Sequence, residues 1–139
     1  AEPAAGAGGG RVKPLASVLY VDDEPDIREI AALALGLDGT IEVRTAGSGV
    51  EALAVARERA PDLMLLDVMM PDLDGPATLV RFRAEAALAA IPVVFVTAKT
   101  LPSELARFRA LGAADVISKP FDPMRLADQV RLVWERLHG

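Results

Sequence analysis

Five short apolar runs, each followed by a stretch of helical spacing, predict an α/β protein: a single (βα)₅ domain whose parallel sheet carries helices on both faces. Three observations support this. The runs Val18-Leu19-Tyr20-Val21, Leu63-Met64-Leu65-Leu66 and Val93-Val94-Phe95-Val96 are apolar throughout, as in strands buried on both faces. Each run gives way to Pro, Gly, Asp or Ser and then to an amphipathic segment. At 139 residues, 52% of them hydrophobic, the chain is long enough for one ordinary core and too apolar to be disordered.

The chain starts with Ala-Glu-Pro-Ala-Ala-Gly-Ala-Gly-Gly-Gly, a composition that cannot pack a core. Residues 1–16 are therefore expected to form a flexible leader or linker and residues 17–139 the domain. Val18 to Val21 is the first strand. It runs into Asp22-Asp23-Glu24-Pro25, where Pro25 suits a first helical turn capped by Asp23 or Glu24. Ile27, Ile30, Ala31 and Ala34 repeat at helical spacing, and Gly36 stops the helix. A second strand is expected over Ile41–Thr45. Ser48 and Glu51 form a capping box opening a helix with Val50, Leu53 and Ala54 facing inward. Pro61 closes that connection before the third strand, which ends on Asp67.

Beyond Asp67, Pro71 and the turn-like Asp72–Gly75 bar an immediate helix. The third helix is expected over Pro76–Ala87, with Leu79 and Phe82 inside. Pro92–Val96 is the fourth strand and ends on Thr97. Pro102 opens a fourth helix with Leu101, Leu105 and Phe108 on one face and Gly112 as its stop. Ala114–Ser118 is a short fifth strand leading to Lys119. The last helix is expected to open with Asp122 as cap and Pro123 first, and Leu126, Val130, Val133 and Leu137 form its stripe. Right-handed crossovers leave two windings, of which the flavodoxin-like strand order 2-1-3-4-5 is the preferred expectation.

Composition excludes several functions. A net charge of −5 and a pI near 4.9 argue against a nucleic-acid surface. With no cysteine there is no disulfide, thiolate catalyst or Cys-based zinc site, and a reducing cytoplasm is compatible. No apolar run is long enough to cross a bilayer, and no signal-peptide core is evident, so no membrane partner is expected.

In such a sheet, chemistry gathers outside the carboxyl ends of the strands. Strand one ends on Asp22 and Asp23, strand three on Asp67, strand four on Thr97 and strand five on Lys119. Singly, each has a plain explanation as a helix cap, a β-branched strand residue or a surface cation. Jointly, three carboxylates in one crevice call for a hard divalent cation such as Mg²⁺ or for protonation. A carboxylate with an ammonium and a hydroxyl opposite suits attack on phosphorus, with the group held as an aspartyl phosphate.

These residues resemble the receiver domains of two-component response regulators. The resemblance rests on Val21-Asp22-Asp23-Glu24-Pro25, Leu65-Leu66-Asp67-Val68-Met69-Met70-Pro71 with Asp74-Gly75, Val96-Thr97-Ala98, and Gly112-Ala113-Ala114-Asp115 leading to Lys119-Pro120-Phe121. It implies that Asp67 is the phosphoacceptor, that Asp22, Asp23, Asp67 and the Met69 carbonyl hold Mg²⁺, that Thr97 is the switch hydroxyl, and that Lys119 binds the phosphoryl group. It further implies a Lys119-Pro120 bond that is often cis, a histidine kinase or phosphotransfer protein as donor, and no turnover enzyme. An output domain or partner protein is expected to engage helix 4, strand 5 and helix 5. There Arg107, Arg109, Arg125 and Arg131 are expected to form a solvated face or to pair across a homodimer. One position departs from the family pattern: where Tyr or Phe is usual, three residues before the lysine, stands Val116. Met69 offers no group to orient water, so a long-lived phosphoryl group is expected.

Three rivals remain. Gly47-Ser48-Gly49-Val50-Glu51-Ala52 fits a dinucleotide fingerprint, but that reading leaves Asp22, Asp23, Thr97 and Lys119 without work. A haloacid-dehalogenase-type phosphatase wants a second aspartate where Met69 stands. A degenerate receiver would dock partners without phosphorylation.

Overall fold

The computed structural model describes residues 13–138 and alternates strand with helix throughout. The elements are β1 (Ser17–Val21), α1 (Pro25–Leu35), β2 (Glu42–Ala46), α2 (Gly49–Glu58), β3 (Leu63–Asp67), α3 (Gly75–Ala84), β4 (Val93–Thr97), α4 (Pro102–Ala110), β5 (Asp115–Ser118) and α5 (Leu126–His138). All strand pairs are parallel, in the order β2-β1-β3-β4-β5. The expected architecture and winding are therefore those observed.

Alternation along each strand divides the core in two. Leu19, Val21, Met64, Leu66, Val93 and Phe95 pack with Ala52, Leu53, Leu79, Phe82 and Phe108, under α2, α3 and α4. Val18, Tyr20, Leu63, Leu65, Val94, Val96 and Ile117 pack with Ala31, Ala34, Leu35, Val130 and Trp134, under α1 and α5. The three central strands are buried over their apolar positions, which is why they read as continuous apolar runs. Among the described residues, no helix is long and apolar enough to cross a membrane.

Several local expectations need correction. α2 faces the sheet through Gly49, Ala52, Leu53 and Ala56, while Val50 is 64% exposed and Ala54 points outward. The small side chains face inward because α2 sits close to α3: a Cβ on Gly49 would collide with the Thr78 hydroxyl of α3 and lie 2.9 Å from Leu73 Cδ2 in the loop before it. β2 is one residue later than expected. α3 ends at Ala84 rather than Ala87. The alanine-rich tail folds back to bury Leu88, and Arg83 Nη1 donates to the carbonyls of Ala89 (3.1 Å) and Ile91 (2.7 Å).

α5 starts at Leu126, because Asp122 instead caps a preceding turn by accepting the Met124 N–H at 2.9 Å. Its stripe closes on Trp134 rather than on Leu137, which is 46% exposed. The Trp134 indole N–H donates to the Lys13 carbonyl at 2.8 Å. Leu15 is buried, and the Ala16 N–H donates to the Asp62 carboxylate at 2.9 Å, so residues 13–16 pack on the domain. The rest of the expected leader, residues 1–12, lies outside the described residues.

Candidate functional site

Four neighbouring strands end level with one another. The ladders pair Val21 with Leu66, Asp67 with Val96, and Thr97 with Ser118. The residues at or just past those ends therefore share one rim of the sheet, as the strand order requires.

Asp22 is fully buried at the centre of this rim. Its Oδ2 accepts hydrogen bonds from the Lys119 ammonium at 2.9 Å and the Tyr20 hydroxyl at 3.0 Å, and its Oδ1 accepts the Glu24 N–H at 3.0 Å. Its carbonyl accepts from Arg28 Nη1 at 2.7 Å. Lys119 Nζ also lies 3.1 Å from Glu24 Oε1 and 3.6 Å from Asp67 Oδ2. Asp67 and Thr97 are buried, at 5% and 3% exposure. The Thr97 hydroxyl accepts the Lys99 N–H at 3.0 Å, and the Thr97 carbonyl accepts the Lys119 N–H at 2.9 Å. Asp67, Met69, Thr97, Lys99 and Lys119 line a recess of about 250 Å³. A larger cavity of about 650 Å³, lined by Leu15, Thr40, Arg131 and Trp134, holds none of these groups.

Each of Asp22, Asp23 and Asp67 offers an oxygen within 4.8 Å of the other two. Burial and the adjacent Asp22 charge push the Asp67 carboxyl up to about 7, although Lys119 pulls the other way. For Lys119, burial disfavours the charge, but hydrogen bonds to Asp22 and Glu24 outweigh it and hold the ammonium protonated. Burial and the Asp22 charge likewise keep the Tyr20 phenol protonated, as a donor. Three acids facing one ammonium leave an excess of negative charge in a confined space. This all-oxygen donor set fits a hard divalent cation such as Mg²⁺.

The loop after Asp67 is shaped for close approach. Gly75 is required there, because a Cβ would fall 2.6 Å from the Asp67 carbonyl oxygen, and Asp74 caps α3 by accepting the Ala77 N–H at 2.9 Å. The Lys119-Pro120 bond is cis. Gly49 of the dinucleotide-like pattern is used in helix packing, and Ser48 and Glu51 in capping and loop bonds.

The rim thus collects all the residues expected from sequence. Three more were missed. Tyr20 carried a signal, since residues two apart on a strand share a face and it stands two before Asp22. Glu24, read as a cap, makes no cap bond and reaches Lys119 instead. Arg28 reads as a solvated helical residue until α1 is placed.

A family model described as the response regulator receiver domain matches residues 18–131. The chain is 36% identical over 120 residues to a probable transcriptional regulatory protein, TcrX, of Mycobacterium tuberculosis, covering 86% of this chain and 50% of that one. It is 36% identical over 114 residues to the DNA-binding response regulator MtrA of Mycolicibacterium smegmatis, covering 82% and 48%. The chain thus spans about half the length of these curated relatives. Among solved structures, the chemotaxis protein CheY4 of Vibrio cholerae aligns with a TM-score of 0.79 at 34% identity, covering 86% of this chain and 98% of that one. The receiver domain of NtrX from Brucella abortus aligns at 0.75 and 35%, covering 85% and 98%.

Proposed function

This chain belongs to the response regulator receiver domain family, a signalling module, and from that premise we propose that Asp67 is its phosphoacceptor. The observation that carries the proposal is the convergence of a buried carboxylate, two further acids, an ammonium 3.6 Å from Asp67 and a buried hydroxyl at one recess. An Asp67 oxygen attacks phosphorus, forming the O–P bond as the bond to the leaving group breaks. The donor is a phosphohistidine on a kinase or phosphotransfer protein, and its imidazole leaves with the bonding pair.

Lys119 and Thr97 receive the transferred oxygens, the first as a fixed positive charge and the second as a hydroxyl donor. Asp22 orients Lys119, and Tyr20 and Arg28 hold Asp22 in place. Asp22, Asp23, Asp67 and the Met69 carbonyl would hold Mg²⁺, which when bound supplies charge neutralisation to the acids and the phosphoryl oxygens. The bond is made once per cycle, so the chain is a switch rather than a turnover enzyme. A cytoplasmic setting fits these donors. The output is an additional domain or a partner protein reading α4, β5 and α5. A degenerate docking module is disfavoured, because the complete constellation is assembled.

Incubation with a small acyl phosphate and Mg²⁺ is expected to add one phosphoryl group by intact mass, and none without Mg²⁺ or in Asp67→Asn. A wild type that stays unmodified, or an Asp67→Asn chain modified equally, would overturn the proposal. Met69 is 64% exposed at the mouth and presents no polar group to water. Decay of the adduct is therefore expected to quicken by roughly tenfold in Met69→Asn, corresponding to about 1.4 kcal/mol of barrier. An unchanged decay would remove Met69 as its cause.

A further inference from the structure

Asp22 is a carboxylate closed off from solvent, so each acceptor position it leaves unmet is costly. A carboxylate offers about four such positions, shared equally between its oxygens. On Oδ2 the Lys119 ammonium at 2.9 Å and the Tyr20 hydroxyl at 3.0 Å take both. On Oδ1 the Glu24 N–H at 3.0 Å takes one, and one is left. Asp23 and Asp67 each bring an oxygen within 4.8 Å of an Asp22 oxygen, so the position left over belongs to the acidic cluster.

Of these three donors, the Tyr20 hydroxyl is the one the fold does not otherwise need. The Tyr20 ring is fully buried in the layer under α1 and α5, edge on to Phe121 with centroids 6.2 Å apart, and a plain phenyl ring would fill that space equally well. Its hydroxyl is a polar atom placed in an apolar layer, where it is tolerated only with a partner. That partner is Asp22, two residues further on the same face of β1. Burial and the Asp22 charge keep the phenol protonated, so it donates. Both residues are fully buried, and solvent cannot stand in for the hydroxyl. Arg28 cannot either, because it bonds the Asp22 carbonyl and not the carboxylate.

We propose that Tyr20 is a positioning residue of the cation site: with Lys119 it fills Oδ2 of Asp22 and so leaves Oδ1 as the oxygen presented to Mg²⁺. The inference rests on the metal assignment above. A carboxylate held by fixed donors meets a cation without first being reoriented. Loss of such an outer partner weakens metal binding by about 10- to 100-fold. Phenylalanine at position 20 keeps the ring and leaves one Oδ2 position empty in a dry place. Asp22 then turns to recover a donor, and Oδ1 turns with it.

Titration calorimetry with Mg²⁺ tests this on the whole chain. Tyr20→Phe is expected to raise the dissociation constant roughly tenfold. In acyl-phosphate labelling, the Mg²⁺ concentration giving half the maximal rate is expected to rise by the same factor, with the rate at saturating Mg²⁺ held within about twofold. Val18→Ala, which removes packing from the same core layer and the same face of β1, is expected to lower the melting temperature and leave the dissociation constant unchanged. A crystal structure of the wild type with Mg²⁺ bound is expected to show Oδ1 of Asp22 on the metal and the Tyr20 hydroxyl still on Oδ2. Binding as tight in Tyr20→Phe as in the wild type, equal weakening in Val18→Ala, or a metal on Oδ2 would overturn the role given to Tyr20. So would a saturating rate that falls while the dissociation constant stays put. A wild type that binds no Mg²⁺ would instead remove the metal assignment itself, and Tyr20 with it.

Discussion

Asp67 is placed where its own charge is unwelcome. Burial and Asp22 raise its carboxyl to about 7, from an ordinary value of 3.8. Between these values the folded chain holds a proton that the unfolded chain has lost, so Asp67's contribution to stability falls as pH rises. It is fully present below about pH 4 and gone above about pH 7. In chelator, Asp67→Asn is therefore expected to melt higher than the wild type at pH 8, by roughly 5 °C. The difference should shrink toward pH 4. Thermal melts across that range check it, and a gain independent of pH would show that repulsion among the acids is not its source. The Glu24 ion pair with Lys119 bridges 95 positions, beyond the reach of any local pattern.

Among the elements, α1 contributes an exposed apolar face as well as a buried one. Ile27 and Ile30, with Pro120, Phe121 and Pro123, form a groove of about 320 Å³ that opens beside Lys119. Its place at the edge of the acidic rim suits the proposed protein donor, which would bring a phosphohistidine to Asp67 and hold it there. Ile30 is 41% exposed. Ile30→Asp is therefore expected to slow transfer from a phosphorylated donor protein by roughly tenfold, about 1.4 kcal/mol of lost contact, and to leave acyl-phosphate labelling unchanged. Equal slowing with both donors would point to damage at the site rather than lost docking. The arginines considered for a dimer already have partners within the chain. Arg109 lies 3.9 Å from Asp115, Arg125 3.7 Å from Asp122, Arg131 pairs with Asp38, and the Arg107 guanidinium sits over the Phe108 ring.

At the scale of the whole molecule, the proposed cation site among the three acids would make folding and cation binding one linked equilibrium. A ligand that binds only the folded chain stabilises it by about 2.7 kcal/mol at a hundred times its dissociation constant. Mg²⁺ is therefore expected to raise the melting temperature of the wild type, EDTA to reverse the gain, and Asp22→Asn and Asp23→Asn to abolish it. A wild type indifferent to Mg²⁺ would remove the metal assignment.

Two-sided burial of the central strands and the rim positions of Asp22, Asp23, Asp67, Thr97 and Lys119 were legible in the sequence, because each follows from local chemistry, and strand order was narrowed to a preferred winding. An apolar run with a carboxylate at its end reads the same wherever the strand lies, and crossover handedness leaves few windings. What the tertiary structure alone decided is which side chains meet. The inward face of α2 depends on how near α3 lies at Gly49, the end of α3 on where Arg83 finds carbonyls, and the seat of α4 on Phe108 meeting Phe95 of β4. Such contacts join residues far apart in the chain, and their geometry is set by packing, which hydrophobic periodicity does not encode.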